Sequence, residues 1–270
     1  MERPDWAPQG IDLSVPSVAR MYDYYLGGSH NFEADRVAAR AAMEAFPGLP
    51  KIMQANRAFM RRAVRYAVDR GITQFLDIGS GIPTFGNVHE VARAAHPGAR
   101  VLYVDRDPVA VAHSRAVLEG DPLTRVLAAD FREPEAVLNS PEARELLDPD
   151  RPIALLLVAL LHFVEDADKP LEAMAGYRAA MAPGSLLILT HASTDTGPRT
   201  REEGNAVTDV YRRGGNNLVM RNREEVSAFF EGMEMVDPGL VPMPEWRPEG
   251  PLDQEDPVVF TGFAGVGRTA

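Results

Sequence analysis

From Thr73 onward the chain alternates short β-branched or leucine-rich runs with longer stretches of three- and four-residue apolar spacing, and few folds accept that alternation. Strands separated by helix-length crossovers pair in parallel, because tight turns join only antiparallel neighbours. The pattern predicts strands at Gln74–Ile78, Arg100–Val104, Arg125–Ala129, Ile153–Leu160 and Ser185–Thr190. Helices are expected at Asn87–His96, Val109–Glu119 and Lys169–Met181, with Pro97-Gly98 and Pro183-Gly184 as stop signals after the first and last. The run from Ile153 to Leu161 is apolar on both faces, so it reads as a central strand beside the first one. Near the C-terminus, Met233–Met243 and Val258–Phe263 read as two more strands, joined by a proline-rich loop from Pro244 to Pro257. The expectation is therefore an α/β fold: a mostly parallel seven-stranded sheet with helices on both faces, ending in an antiparallel hairpin.

Residues 1–70 precede this unit and are too amphipathic for a disordered tail. Val18–Leu26, Ala34–Ala45 and Lys51–Arg70 carry helical periodicity, broken by Gly27-Gly28 and by Pro47-Gly48-Leu49-Pro50. They are expected to form a helical cap over the carboxyl edge of the sheet, with residues 71–270 as the core. The segment Val18–Asn31, with its tyrosines and glycine pair, is expected to act as a lid hinged at Gly27-Gly28.

Of the 270 residues, 39 are acidic and 28 are lysine or arginine, a net charge of -11 that repels a phosphate backbone and argues against a nucleic-acid partner. The absence of cysteine removes disulfides, thiolate metal sites and thiol nucleophiles together. The longest apolar run is far too short to span a bilayer, and the N-terminus lacks an apolar signal core, so a cytoplasmic protein without a membrane partner is expected.

The chemistry is concentrated at three strand ends. Phe75-Leu76-Asp77-Ile78-Gly79-Ser80-Gly81-Ile82-Pro83 is a strand followed by a glycine turn whose backbone a ligand can approach closely and whose amides can donate. A dinucleotide fingerprint would require a third glycine and an immediate helix, and Pro83 stands where that helix would begin. S-adenosylmethionine has no pyrophosphate and needs no such geometry. Asp105 ends the second strand, roughly two dozen residues beyond the glycines, where a carboxylate can accept from both ribose hydroxyls. Asp130 ends the third strand, where it can accept from an adenine amino group while Phe131 contacts the ring. The competing reading is that each aspartate merely caps the following helix.

The stretch Asp77-Ile78-Gly79-Ser80-Gly81-Ile82-Pro83-Thr84, followed by Gly86-Asn87-Val88-His89-Glu90-Val91, resembles an actinobacterial family of S-adenosyl methyltransferases whose substrates are mostly unassigned. Arg20-Met21-Tyr22-Asp23-Tyr24-Tyr25-Leu26-Gly27-Gly28, Asn31-Phe32, Asp35-Arg36, Asn56-Arg57-Ala58-Phe59, Leu160-Leu161-His162-Phe163-Val164 and Trp246-Arg247-Pro248 extend the resemblance over nearly the whole chain. It implies a Rossmann-like methyltransferase fold, S-adenosylmethionine as cofactor, and O- or N-methylation of a small molecule, close to secondary metabolism. The expected cofactor-binding residues are Asp77, Gly79, Ser80, Gly81, Ile82, Asp105, Arg106, Asp130, Phe131 and Leu161.

Methyl transfer from a sulfonium needs alignment more than acid-base help, and a base only where the acceptor carries a proton. His162, just after the fourth strand, is the candidate base, although a histidine there can equally orient a loop. Tyr22, Tyr25 and Asn31 are candidate acceptor contacts, with packing between cap and sheet as the equal alternative for the tyrosines. Arg20, Arg57 and Arg61 are available to a carboxylate. Glu165, Asp166 and Asp168 read as first-turn helix charges rather than a metal site. No Asn/Asp-Pro-Pro-aromatic element follows the fourth strand, which favours a small-molecule acceptor over a nucleobase. Two other readings stay open: an NAD-dependent oxidoreductase, and a protein that binds the S-adenosyl compound without turnover.

Overall fold

The computed structural model describes residues 9, 11–83, 86–193, 195–196, 201–251 and 262–270. Five parallel strands form its centre: β1 Gln74–Ile78, β2 Arg100–Asp105, β3 Thr124–Ala128, β4 Ala154–Leu157 and β5 Leu186–Ala192. β1 pairs with β2 on one side and β4 on the other, so the chain order reverses between β1 and β4. A crevice opens outside the carboxyl ends of two strands that diverge in this way, and that is where such sheets hold ligands. All residues of β1 and β4 are buried, as befits central strands covered on both faces, and β4 is apolar throughout.

Alternate side chains of these strands feed two cores. Phe75, Val101, Leu156 and Ile188 pack beneath the long helix α3, while Leu76, Leu102, Leu155 and Leu187 meet Phe131, Met174, Tyr177 and Phe229 on the other face. The N-terminal region forms α1 Val18–Tyr25, α2 Glu33–Ala45 and α3 Leu49–Asp69. α3 begins at a proline, buries Ile52, Phe59, Met60, Ala63 and Ala67, and ends before Gly71 at φ 82°. Its alanines allow close approach to the sheet, so α3 is one of the layers covering the sheet rather than a detached lid. Fully burying Phe59 there contributes about 2–3 kcal/mol. Trp246, wholly buried, stands edge-on to Phe59 at 5.3 Å, and its carbonyl accepts from Arg62 of α3, which ties the C-terminal region to the same helix.

The remaining helices are α4 Val88–Ala95, α5 Pro108–Val117, α6 Pro134–Leu138, α7 Pro141–Leu146, α8 Pro170–Ala179, α9 Arg201–Arg213 and α10 Arg223–Ser227. The last three strands differ from expectation. Among the described residues the sheet has eight strands rather than seven, because the expected strand Met233–Met243 is split into β6 Glu234–Met235 and β7 Val241–Pro242, which pair with opposite ends of β8. β8 is Gly262–Arg268, antiparallel to β5. It continues five residues beyond the predicted Val258–Phe263, whose first four residues lie outside the described ones, as do residues 252–257 of the expected loop. Glycines hid this strand: a Cβ on Gly265 or Gly267 would come within 3.1 or 2.7 Å of Phe230, so the bare backbone makes room for that ring. β4 also ends earlier than predicted, because the chain turns at Ala159, φ 58°.

Candidate functional site

At the reversal point a cavity of about 440 Å³ opens, a size within the range of small-molecule sites. The glycine loop forms its floor. Gly79 and Gly81 take φ 73° and 66°, and a Cβ on Gly79 would lie 2.8 Å from Leu160 Cδ1, whereas one on Gly81 would meet nothing within 4 Å. The expected use of the loop's amides as ligand donors is corrected for three of them. Gly79 and Ser80 donate to the Val104 carbonyl at 2.8 and 3.2 Å, and Gly81 donates to Asp105 Oδ2 at 2.7 Å. The loop is thus fastened to β2 before any ligand arrives. Ser80 Oγ, by contrast, is buried on the cavity wall with no partner, and a buried hydroxyl of that kind is costly unless a ligand satisfies it.

Asp105 is not a helix cap. Its Oδ1 accepts from Asp107 N at 2.8 Å, and Asp107 is the residue that caps α5, accepting from Val109 N at 2.7 Å. Burial pushes the Asp105 carboxyl up to about 6, against the backbone hydrogen bonds that favour its charge. Asp77 also faces the cavity; burial raises it to about 7, with Arg57 of α3 opposing that shift and Asp105 adding to it. Arg57 lines the same wall and donates to Asn87 Oδ1 at 3.1 Å. Asp130 is partly buried, but hydrogen bonds from Arg132 outweigh that and hold it below the usual carboxylate range. Arg106 pairs with Asp130 at 3.4 Å at the mouth. Ile82 and Phe131 line the cavity as buried apolar surface, and the Phe131 ring is backed by Tyr177 at 5.4 Å.

Four of the sequence-predicted residues lie elsewhere. Leu161 and His162 do not line the cavity; Leu160 and Phe163 do. Residues 161–163 form a 3-10 turn, whose side chains step by about 120°, so Phe163 faces the cavity while His162 turns into the core. There His162 Nδ1 accepts from Ala192 N at 3.3 Å, and burial drives its pKa well below the ordinary value. The same helical logic divides the tyrosines: Val18, Tyr22 and Leu26 face the cavity, while Tyr25 is buried behind them with its hydroxyl 3.1 Å from that of Tyr211. Asn31 is also off the cavity, donating to Asp23 Oδ2 at 2.8 Å and the Gly28 carbonyl at 2.9 Å. Asp23 staples the 27–31 loop shut, and a Cβ on Gly28 would fall 2.0 Å from its carboxylate, so Gly28 is a packing glycine, not a hinge.

Arg20 lines the cavity almost fully buried, donating to the Val15 carbonyl at 2.9 Å and lying 3.4 Å from Asp35; Arg61 does not line it. The acidic cluster stands at the start of a 3-10 turn, Glu165 before it and Asp166 and Asp168 within it, and each has a partner as well: Asp166 pairs with Arg221, Asp168 with Arg132, and Glu165 accepts from Asn217. Buried Arg221 also donates to the Leu161 and Val164 carbonyls at 2.9 Å and to His191 Nε2 at 2.9 Å, locking the turn after β4. Asp12, Ser17, Ala159 and Asn216 are cavity residues that the sequence reading missed, for they sit in turns without motif or periodicity.

Among curated proteins no sequence matches this chain. Two solved structures are similar over nearly their whole length. One is a proposed methyltransferase from Thermobifida fusca, 42% identical, covering 98% of this chain and 99% of its own, with TM-score 0.91. The other, a DUF574 family protein from Streptomyces avermitilis, is 36% identical, with coverage of 96% and 99% and TM-score 0.89. The profile of one family, described as S-adenosyl methyltransferase, runs from residue 4 to residue 270 and so takes in the glycine loop, both strand-end aspartates and the helices above them; this chain belongs to that family.

Proposed function

We propose that the cavity at the β1–β4 reversal is the methyl-transfer site and that its acceptor is a small molecule methylated on oxygen or nitrogen. Family membership makes the protein an S-adenosylmethionine-dependent methyltransferase. The observation that carries the placement is that Asp77 and Arg57 line the same cavity, near enough for the guanidinium to act on the carboxyl electrostatically. A buried carboxyl raised to about 7 by burial, beside a guanidinium, suits a zwitterion better than any single charge. Asp77 would take the α-ammonium and Arg57 the α-carboxylate of the methionine portion. Asp105 has a remaining lone pair on each oxygen for the ribose hydroxyls, and the orphaned Ser80 Oγ supplies a further hydrogen bond. Phe131 and Ile82 offer the adenine an apolar slot, with Asp130 at its edge.

With S-adenosylmethionine held by Asp77, Arg57 and Asp105, the cofactor would supply an electrophilic methyl group for an acceptor lone pair, and the chain's own part would be to align the two. Val18, Tyr22, Leu26, Met60 and Phe163 wall the rest of the cavity and exclude water from the reacting atoms. This apolar enclosure and the net charge of -11 favour a small acceptor over a polyanion. His162 is not part of the proposal, since it lies off the cavity with Nδ1 already occupied. Incubating the protein with methyl-labelled cofactor and a panel of phenols, amines and heteroaromatics tests the acceptor class. Label transfer to a small acceptor supports it; transfer confined to RNA or protein substrates overturns it.

A further inference from the structure

A continuous hydrogen-bond chain, with its Thr190–Asn56 link buried, joins the end of β4 to α1 and α3. Ala159, at φ 58°, turns the backbone sharply after β4, and this turn seats Leu160 against Gly79. The Ala159 N–H donates to Thr190 Oγ1 at 2.8 Å, and the Thr190 hydroxyl donates to Asn56 Oδ1 of α3 at 2.7 Å. Asn56 Nδ2 donates to Tyr22 Oη at 2.9 Å, and that hydroxyl donates onward to the Met53 carbonyl at 3.3 Å. Every proton runs in one direction, from the end of β4 to α1 and α3. Ala159, Asn56 and Tyr22 all line the cavity, whereas Thr190 does not.

Thr190 stands in β5 after Leu186-Leu187-Ile188-Leu189, a position where valine would fill the same volume. Its hydroxyl, 1% exposed with the residue, is used wholly by this chain, accepting once and donating once. A buried polar group fully satisfied in this way fixes geometry, because no neighbour can shift without breaking a bond.

We infer that Thr190 is a positioning residue for methyl transfer, holding the Ala159 turn and the Tyr22 ring in one fixed relation through Asn56. The inference rests on the reading of the cavity as the methyl-transfer site. Thr190 touches neither cofactor nor acceptor on that reading; it sets the two walls between which they align, and alignment is what an in-line displacement needs.

Hydrogen exchange read by mass spectrometry, on the full chain with and without S-adenosylhomocysteine, tests this in wild type, Thr190→Val and Thr190→Ser. In wild type the ligand should protect residues 79–82, 157–163 and 19–26 together. Thr190→Val, checked for fold by circular dichroism, should keep the protection at 79–82, lose that at 19–26, and bind the ligand about tenfold more weakly. Thr190→Ser should restore both, since it keeps the hydroxyl. Tyr22→Phe, which cuts the chain at its far end without entering the sheet core, should keep the protection at 79–82 and lose that at 157–163, and it decides the matter if Thr190→Val fails to fold. Wild-type coupling and affinity in Thr190→Val, or in Tyr22→Phe when that variant decides, or no rescue by Thr190→Ser, would overturn the inference. No protection at 79–82 in wild type would instead overturn the reading of the cavity, and the inference with it.

Discussion

Placing an ammonium group beside Asp77 should drive a proton off that carboxyl. With burial holding it at about 7, Asp77 is about half protonated at pH 7 before ligand binds. An opposite charge within hydrogen-bonding reach lowers a carboxyl by about 1–3 units, leaving at most about a tenth of it protonated in the complex. Binding of S-adenosylhomocysteine should therefore release about 0.4–0.5 proton from this one group. Calorimetric titration at pH 7 in two buffers of different ionisation enthalpy reads that release as the difference between the two apparent heats. The ligand's own amino group contributes equally in Asp77→Asn, so the wild-type value minus that of the variant isolates Asp77. A difference near zero, with both proteins binding, would show that Asp77 does not meet the ammonium.

Asp105→Ala should weaken cofactor binding by roughly 1.5–3 kcal/mol, since it removes charge-assisted acceptors and leaves the Gly81 N–H without its partner; wild-type affinity in the folded variant refutes the role. Gly81→Ala puts a methyl group where no protein atom lies within 4 Å, at φ 66°. It should cost about 1–2 kcal/mol of stability but abolish measurable cofactor binding, and an undiminished affinity would mean the ligand does not lie over the loop. The pH dependence of stability has a definite sign. Asp77 and Asp105 both titrate higher folded than unfolded, so their contribution is greatest below the unfolded value near 3.8 and is lost as pH rises through about 6 and 7. The Tm of the ligand-free protein should fall between pH 5.5 and 8, and Asp77→Asn should flatten that slope; an unchanged slope contradicts the assignment.

The central sheet was legible because its strands are buried on both faces and bounded by glycine, proline and helix-length crossovers, so β1 is found where Gln74 to Ile78 predict it. The glycine loop and the strand-end aspartates were legible for the same reason: topology alone places them at one edge. What sequence could not show was direction within a turn. His162 and Phe163 are neighbours in the chain, and only the tight pitch of their turn decides which one faces the cavity. Tyr22 and Tyr25 were inseparable by composition, though the 100° step of a helix would have separated them once Tyr22 was anchored. Gly28 looked like a hinge because glycine is permissive, but Asp23 uses the missing Cβ for packing. The part of β8 beyond Phe263 was missed because Gly265 and Gly267 depress strand propensity while making room for Phe230. Thr190 carried no local signal, and Asn56 stood out only within the landmark Asn56-Arg57-Ala58-Phe59, because their partnership joins residues 134 positions apart.

The most direct test of the account is a pair of calorimetric titrations of the purified protein, one with S-adenosylhomocysteine and one with NADH. The account predicts saturable one-to-one binding of S-adenosylhomocysteine with a Kd roughly in the micromolar range, and no heat of binding with NADH. Saturable binding of NADH with none of S-adenosylhomocysteine would contradict it.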